Sequence, residues 1–145
     1  MKVKDIIKKK GKKVITIAPE KTLYDAAKLL TEKQIGSLVV VDQKKNVMGI
    51  VTERDIVHKL AENHLSTKKT RIKDLMPRKL LIATLEDETD YINNVITTNR
   101  VRHLPVLQDN KLVGIISIGD ILKESFEQCR VENKYLNDYI TGKYF

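Results

Sequence analysis

The sequence predicts an α+β fold: two copies of one strand-helix-strand-strand-helix unit, packed with pseudo-twofold symmetry and followed by a C-terminal helical tail. Three observations lead there. Ile35-Gly36-Ser37-Leu38-Val39-Val40-Val41, a turn at Lys44-Lys45-Asn46, and Gly49-Ile50-Val51-Thr52-Glu53-Arg54-Asp55 recur 65 to 66 residues later. The second copy reads Val101-Arg102-His103-Leu104-Pro105-Val106, a turn at Asp109-Asn110, then Gly114-Ile115-Ile116-Ser117-Ile118-Gly119-Asp120. In each copy two near-continuous apolar runs flank a short polar turn, the pattern of paired strands covered on both faces. Before each pair, apolar residues keep the spacing of a helix with one buried face. A unit of about 55 to 60 residues has only a marginal core. The copies are therefore expected to pack on each other, and their equivalent polar ends to meet in the groove between them.

Composition narrows the function classes. The 145 residues are one domain by size, and a hydrophobic content of 41% suits a globular protein. No apolar run approaches the ~18 residues that cross a bilayer, and the start, Met1-Lys2-Val3-Lys4-Asp5, lacks the apolar core of a signal peptide. A cytoplasmic protein without membrane contact is expected. Cys129 is the single cysteine, and His58, His64 and His103 are scattered, so neither an internal disulfide nor a metal site is expected. The net charge of +8, from 27 Lys and Arg against 19 Asp and Glu, favours anionic partners from a nucleotide phosphate to nucleic acid. Its densest run, Lys8-Lys9-Lys10-Gly11-Lys12-Lys13, reads as a solvated linker.

In chain order, Val3-Lys4-Asp5-Ile6-Ile7 is a leader of one or two helical turns, matched by Ile72-Lys73-Asp74-Leu75-Met76 before Pro77. Residues 14–17 are β-branched and read as a strand closed by Pro19. Thr22 caps a helix with Leu23, Ala26, Ala27 and Leu30 inward, and Gly36 is expected to break it. Strands follow over 37–41 and 47–51, and Thr52 caps a helix carrying Ile56, Val57 and Leu60. Residues 63–69 form a polar linker.

The second copy repeats this with a strand over 80–83 and a helix with Ile92, Val95 and Ile96 inward. Strands over 104–107 and 112–116 precede a last helix marked by Ile121, Leu122 and Phe126. Pro105 has no N–H to donate, which predicts an edge strand or a bulge there. The repeats are drawn at 1–65 and 66–125, with the tail at 126–145. In the tail Leu122, Phe126, Cys129, Asn133, Leu136 and Ile140 alternate spacings of four and three, a coiled-coil-like seam with one polar position. For so short a segment the stronger expectation is a helix folded back on its own module or on a partner subunit, with Tyr135, Tyr139, Tyr144 and Phe145 docking its end.

Both hairpins run into Ser/Thr-x-x-Asp: Thr52 with Asp55, and Ser117 with Asp120. This sets a hydroxyl and a carboxylate one turn apart at a helix N-terminus, where anions are favoured. The same pair serves as a simple cap, so spacing alone leaves both roles open.

These paired features, with the Val-Lys-Asp-Ile leader and the "RHLPV" and "VGIIS" strands, resemble a tandem pair of cystathionine β-synthase (CBS) domains, a Bateman module. The likeness covers residues 1–125 and is to the small, stand-alone, archaeal-like kind. It implies a β-α-β-β-α unit per copy and a cleft for AMP, ADP, ATP or S-adenosylmethionine. The motif Asp would hold the ribose hydroxyls and the Ser or Thr would support phosphate. Carried over, one site takes Ser117, Asp120, Arg102 and His103, with Val14, Ile15 and Ile35 lining the adenine. The other takes Thr52, Arg54 and Asp55, with Leu81 and Val101. Gly36 and Ser37 stand where the second copy has Arg102 and His103, so unequal sites are expected, with that of Asp120 the tighter. The resemblance also implies a disc-shaped homodimer, with Ile56, Val57, Leu60, Ile121 and Leu122 as candidates for its surface.

The leading expectation is a regulatory module that senses an adenosyl ligand and signals to an unidentified partner protein. Two alternatives stay open: a basic nucleic-acid-binding protein, disfavoured because the aromatics gather in the tail, and an oligomerisation module without ligand. No catalytic residue and no catalytic cofactor is expected, since no Gly-rich phosphate loop and no nucleophile-base set is present.

Overall fold

The computed structural model describes residues 1–11, 13–63, 66–76 and 80–142. Lys12, His64, Pro77, Tyr144 and Phe145, which figured in the expectations above, lie outside them. The elements in order are α1 (Val3–Lys10), β1 (Thr16–Ile17), α2 (Leu23–Lys33), β2 (Ser37–Val41), β3 (Val47–Thr52) and α3 (Glu53–Asn63). A 3-10 turn (Ile72–Asp74) leads to β4 (Ala83–Thr84), α4 (Thr89–Asn99), β5 (His103–Gln108), β6 (Lys111–Ser117) and α5 (Ile118–Ile140). The strands make two three-stranded sheets, β1-β2-β3 and β4-β5-β6, each a hairpin with a short parallel strand on one side. This is the duplicated α+β unit that the sequence pattern predicts.

Local chemistry accounts for the boundaries. Thr22 Oγ1 accepts from the Asp25 N–H at 3.2 Å while Asp25 Oδ2 accepts from the Thr22 N–H at 3.1 Å, a reciprocal cap that starts α2. That helix ends at Gln34, in the left-handed region at φ 53, and not at Gly36. Its N–H reaches the Leu30 and Thr31 carbonyls, so the last turn is satisfied before the glycine is reached. Arg100, at φ 54, ends α4 in the same way. Asp109 and Asn110 are both at positive φ, as a two-residue hairpin turn requires.

Pro105 is not on an edge strand, because β5 is the middle strand of its sheet. The short β4 pairs only with Val106 and Leu107, so it stops before it needs the N–H that Pro105 lacks. The register shift falls one residue later, between Val106 and Leu107, and the proline-free hairpin shifts at the matching place, between Val40 and Val41. Proline is therefore not its cause. In the first sheet the Val39 N–H, at the position of Pro105, donates to the Ile15 carbonyl at 3.3 Å. The proline has no such bond to give Leu81.

Each unit's core is completed by the other unit's leader. Val3, Ile6 and Ile7 of α1 are buried among Ala83, Ile92, Leu104 and Ile116 of the second unit. Ile72 and Leu75 are buried among Leu23, Leu38, Val51 and Ile56 of the first. The backbone bonds match as well. The Val3 and Lys4 N–H groups donate to Asp87 and Leu85, and those of Ile72 and Lys73 donate to Lys21 and Pro19. A Cβ on Gly114 would come within 2.8 Å of Ile7, and one on Gly49 within 2.9 Å of Met76, so both leaders lie directly on a strand glycine.

Other expectations change with this packing. Ile56 and Ile121 are buried in their own units and cannot form a dimer surface, whereas Val57 and Leu122 on the same two helices are exposed. The linker is tied down, with Thr67 and Thr70 accepting from the Tyr24 and Leu23 N–H groups. The tail does not fold back on its own module: α5 runs unbroken to Ile140, and every residue from 125 to 137 is exposed.

Because Ile7 is 1% exposed, Ile7→Ala should lower the unfolding free energy by about 2–5 kcal/mol. Gly114→Ala, which pushes against the same side chain, should cost about 1–3 kcal/mol. Urea unfolding checks both, and a loss near zero for Ile7→Ala would contradict the exchanged packing.

Candidate functional site

The end of each hairpin delivers its motif to the junction of the two units. Thr52 Oγ1 accepts from the Asp55 N–H at 3.1 Å and Asp55 Oδ2 accepts from the Thr52 N–H at 2.9 Å. Ser117 and Asp120 make the same pair at 3.1 and 2.9 Å. Both motifs are thus reciprocal caps, and so is Thr22 with Asp25, so the spacing alone marks helix starts. The surroundings separate the three.

Thr52, Arg54 and Asp55 line a cleft of about 240 Å³ together with Gly36, Ile50 and Glu53 of the first unit and Arg100, Val101, Arg102 and His103 of the second. A narrower hollow of about 40 Å³, sharing Ile50, Val101 and His103, adds Gly49, Leu80, Leu81 and Leu104. Expected partners Thr52, Arg54, Asp55 and Val101 are therefore brought together around one cleft, with the exposed Arg54, Arg100 and Arg102 along it, and Leu81 lines the hollow beside it. The cap occupies Asp55 Oδ2, and among the described residues no ion pair reaches this carboxylate.

Arg102 and His103, assigned from sequence to the Asp120 site, line the Asp55 cleft. They stand between the two motifs, since His103 pairs with Ser117 and the Ile118 N–H donates to the Arg102 carbonyl at 3.0 Å. The His103 Nδ1 is buried without a hydrogen-bond partner among the described residues. Burial holds its imidazole below the ordinary range, and the Lys10 cation adds to that shift.

The Asp120 side is arranged differently. Lys10 Nζ donates to Asp120 Oδ2 at 2.8 Å and to the Ile115 carbonyl at 3.0 Å. Ile115 and Asp120 correspond to Ile50 and Asp55, so the ammonium stands where the cleft opens in the other copy. Neighbouring Lys9 pairs with Glu124 at 2.9 Å. The basic run is thus no solvated linker through Lys10, since Lys9 and Lys10 bind the second unit. Of the lining expected for this site, Ile35 borders a groove of about 490 Å³ between α2 and α3, which includes neither Ser117 nor Asp120. Ile15 packs on its own core, and Val14 is half-buried.

Sequence reasoning missed Lys10, Arg100 and Ile50. Lys10 was hidden in a charge run, and Arg100 in a helix end whose left-handed turn aims it back. Ile50 had a usable signal, its place two residues before the motif Thr. Larger concavities open elsewhere, including one of about 750 Å³ between the hairpin turns. That one lacks a motif carboxylate, so size does not pick out the site. Among the described residues no helix is long and apolar enough to cross a membrane. Among the described residues no group of three His, Cys, Asp or Glu side chains could hold a metal ion.

Comparison with known proteins gives the same duplication. The family model described as CBS domain matches residues 3–62 and again 72–127. A curated relative, the mitochondrial CBS domain-containing protein CBSX3 of Arabidopsis thaliana, is 35% identical over 98% of this chain and 73% of its own length. A solved putative signal-transduction protein with CBS domains from Burkholderia ambifaria is 39% identical with a TM-score of 0.81, covering 86% of this chain and 93% of that one. The CBS domain pair of protein MJ0100, solved in complex with 5′-methylthioadenosine and S-adenosyl-L-methionine, is 29% identical with a TM-score of 0.78. That match covers 88% of this chain and 98% of that one.

The neutral imidazole of His103 makes stability pH-dependent. The unfolded chain takes up a proton that the folded one resists, so stability is full above the unfolded value of 6.5 and is lost as the pH falls toward the lowered folded value. Denaturant unfolding between about pH 7.5 and about pH 5 should therefore show a steeper loss for the native chain than for His103→Gln. Equal slopes would mean that His103 titrates freely in the fold.

Proposed function

The chain belongs to the CBS domain family, carrying two copies in tandem, and on that premise we propose that it is a regulatory module that binds an anionic adenine nucleotide, AMP, ADP or ATP, in the Asp55 cleft. The observation that carries this reading is the composition of that cleft. Asp55 keeps a carboxylate oxygen outside the cap for the ribose hydroxyls, Ile50, Leu81 and Val101 offer an apolar wall to the base, and three arginines ring the mouth. Arg54, Arg100 and Arg102 outnumber Glu53 and Asp55, a balance that suits phosphates and opposes the positively charged sulfonium of S-adenosylmethionine. His103 Nδ1, buried without a partner, is a further group that a ligand can satisfy.

On this reading the order of the sites is the reverse of the expected one. The Asp120 carboxylate is held by Lys10, so a second ligand must first displace an ion pair. The module binds the nucleotide without turning it over, and it signals because a ligand bridging Asp55 of one unit and Arg102 of the other prefers one arrangement of the two units. The nucleic-acid alternative loses its footing at the basic run, where Lys9 and Lys10 are paired with Glu124 and Asp120.

Isothermal titration with AMP, ADP, ATP and S-adenosylmethionine tests this. One nucleotide per chain is expected, with thermal stabilisation and a Kd weakened roughly 10–100-fold in Asp55→Ala, as for the loss of charge-assisted hydrogen bonds. Lys10→Ala should add a second site. Absence of heat and of stabilisation with all four ligands removes the reading, and preference for S-adenosylmethionine removes its anionic part.

A further inference from the structure

From Leu122 onward α5 carries an apolar seam that its own chain leaves uncovered. Leu122 is 48% exposed, Phe126 72%, Leu136 54% and Ile140 80%, and Cys129 is exposed with them. Together with Asn133 these residues alternate spacings of four and three, which puts Leu122, Cys129 and Leu136 at d and Phe126, Asn133 and Ile140 at a. Every residue of the helix from 125 to 137 is exposed. Within it the Arg130–Glu127 and Lys134–Asp138 pairs supply only about 0.2–0.5 kcal/mol each. An isolated segment of roughly 12–15 residues is marginal as a helix in water, so cover from a partner would stabilise this one.

We propose that α5 pairs in parallel and in register with α5 of a second copy of this chain, forming a short two-stranded coiled coil that sets the two modules like end to like end. The seam itself selects this occupant. A single Asn at an a position meets its own counterpart only in a parallel, in-register pair, where the two amides hydrogen-bond; an antiparallel pair would bury Asn133 against apolar d residues. Covering the six seam residues on both copies removes on the order of 1,000 Å² from water, the area at which specific interfaces begin. This inference is independent of the nucleotide reading, since no cleft residue takes part.

Parallel pairing brings the two Cys129 side chains into one d layer, and the chain carries no other cysteine. Light scattering should give a dimer, and the two-electron oxidant diamide should link it through Cys129. Val131→Cys on a Cys129→Ser background moves the thiol to an exposed position two residues on, off the seam. Linking there should fall roughly tenfold or more, because a disulfide needs Cβ atoms about 3.5–4.5 Å apart. A monomer at all concentrations overturns the proposal, as does a dimer in which Cys129 links no faster than the relocated thiol.

Discussion

Neither half of this chain owns a complete core, and the reciprocal exchange of leaders is the constraint on which the rest depends. The contacts are specific on both sides: Ile7 lies over Gly114 and Met76 over Gly49, with no room for a Cβ between. Each leader also donates two backbone N–H groups to the opposite unit's loop before its first helix. Three side chains of α1 are nearly fully buried in the second unit, and each contributes about 1.5–3 kcal/mol of transfer free energy. The relative orientation of the units is thereby fixed by core packing. A cleft lined by β3 and α3 of one and by the start of β5 of the other is a consequence of it.

Symmetric packing does not produce symmetric sites. The reciprocal cap occurs three times, at Asp25, Asp55 and Asp120, with nearly the same geometry. What separates the copies is a few substitutions around an invariant frame. The carbonyl that accepts the first helical N–H belongs to Gly36 in one copy and to Arg102 in the other. Arg102 and His103 therefore stand at the shared edge and serve the cleft of the opposite motif. Pro105, where the first copy has Val39, takes a hydrogen bond away from the segment that supplies Leu81 to the apolar wall.

Much of this was legible in the sequence because it is local. The duplication, the hairpins, the caps at Thr22, Thr52 and Ser117, and the buried stripe of α2 follow from spacing and residue chemistry within a few turns of chain. What failed depends on distance. The leaders do fall within the repeats they adjoin in sequence, but that contiguity says nothing about which core an apolar residue enters. Lys10 read as solvated because its partner is 110 positions away. Ile56 and Ile121 were placed on one surface together with their neighbours Val57 and Leu122, although adjacent positions lie about 100° apart around a helix and only the latter two are exposed. Pro105 read as an edge because a missing donor can also be accommodated by a neighbour too short to need it.

The leader α1, the Ser117–Asp120 motif and the exposed seam converge on the first two turns of α5. Its N-cap motif supplies Asp120, its next turn supplies Glu124, and the adjacent lysines Lys10 and Lys9 bind these two carboxylates. The leader that completes the core is therefore fastened to the helix that carries the exposed seam, directly beside the carboxylate that corresponds to Asp55. Glu124 is well covered and Asp120 partly so, so these pairs are less screened than the solvent-exposed bridges of Lys2 and Lys4 to Glu86. Anything that draws Lys10 from Asp120 leaves a partly buried carboxylate without its counter-ion and frees the end of α1 at once. A ligand that took Asp120 from Lys10 would thereby also release the leader, and by the same linkage the docked leader would oppose that ligand.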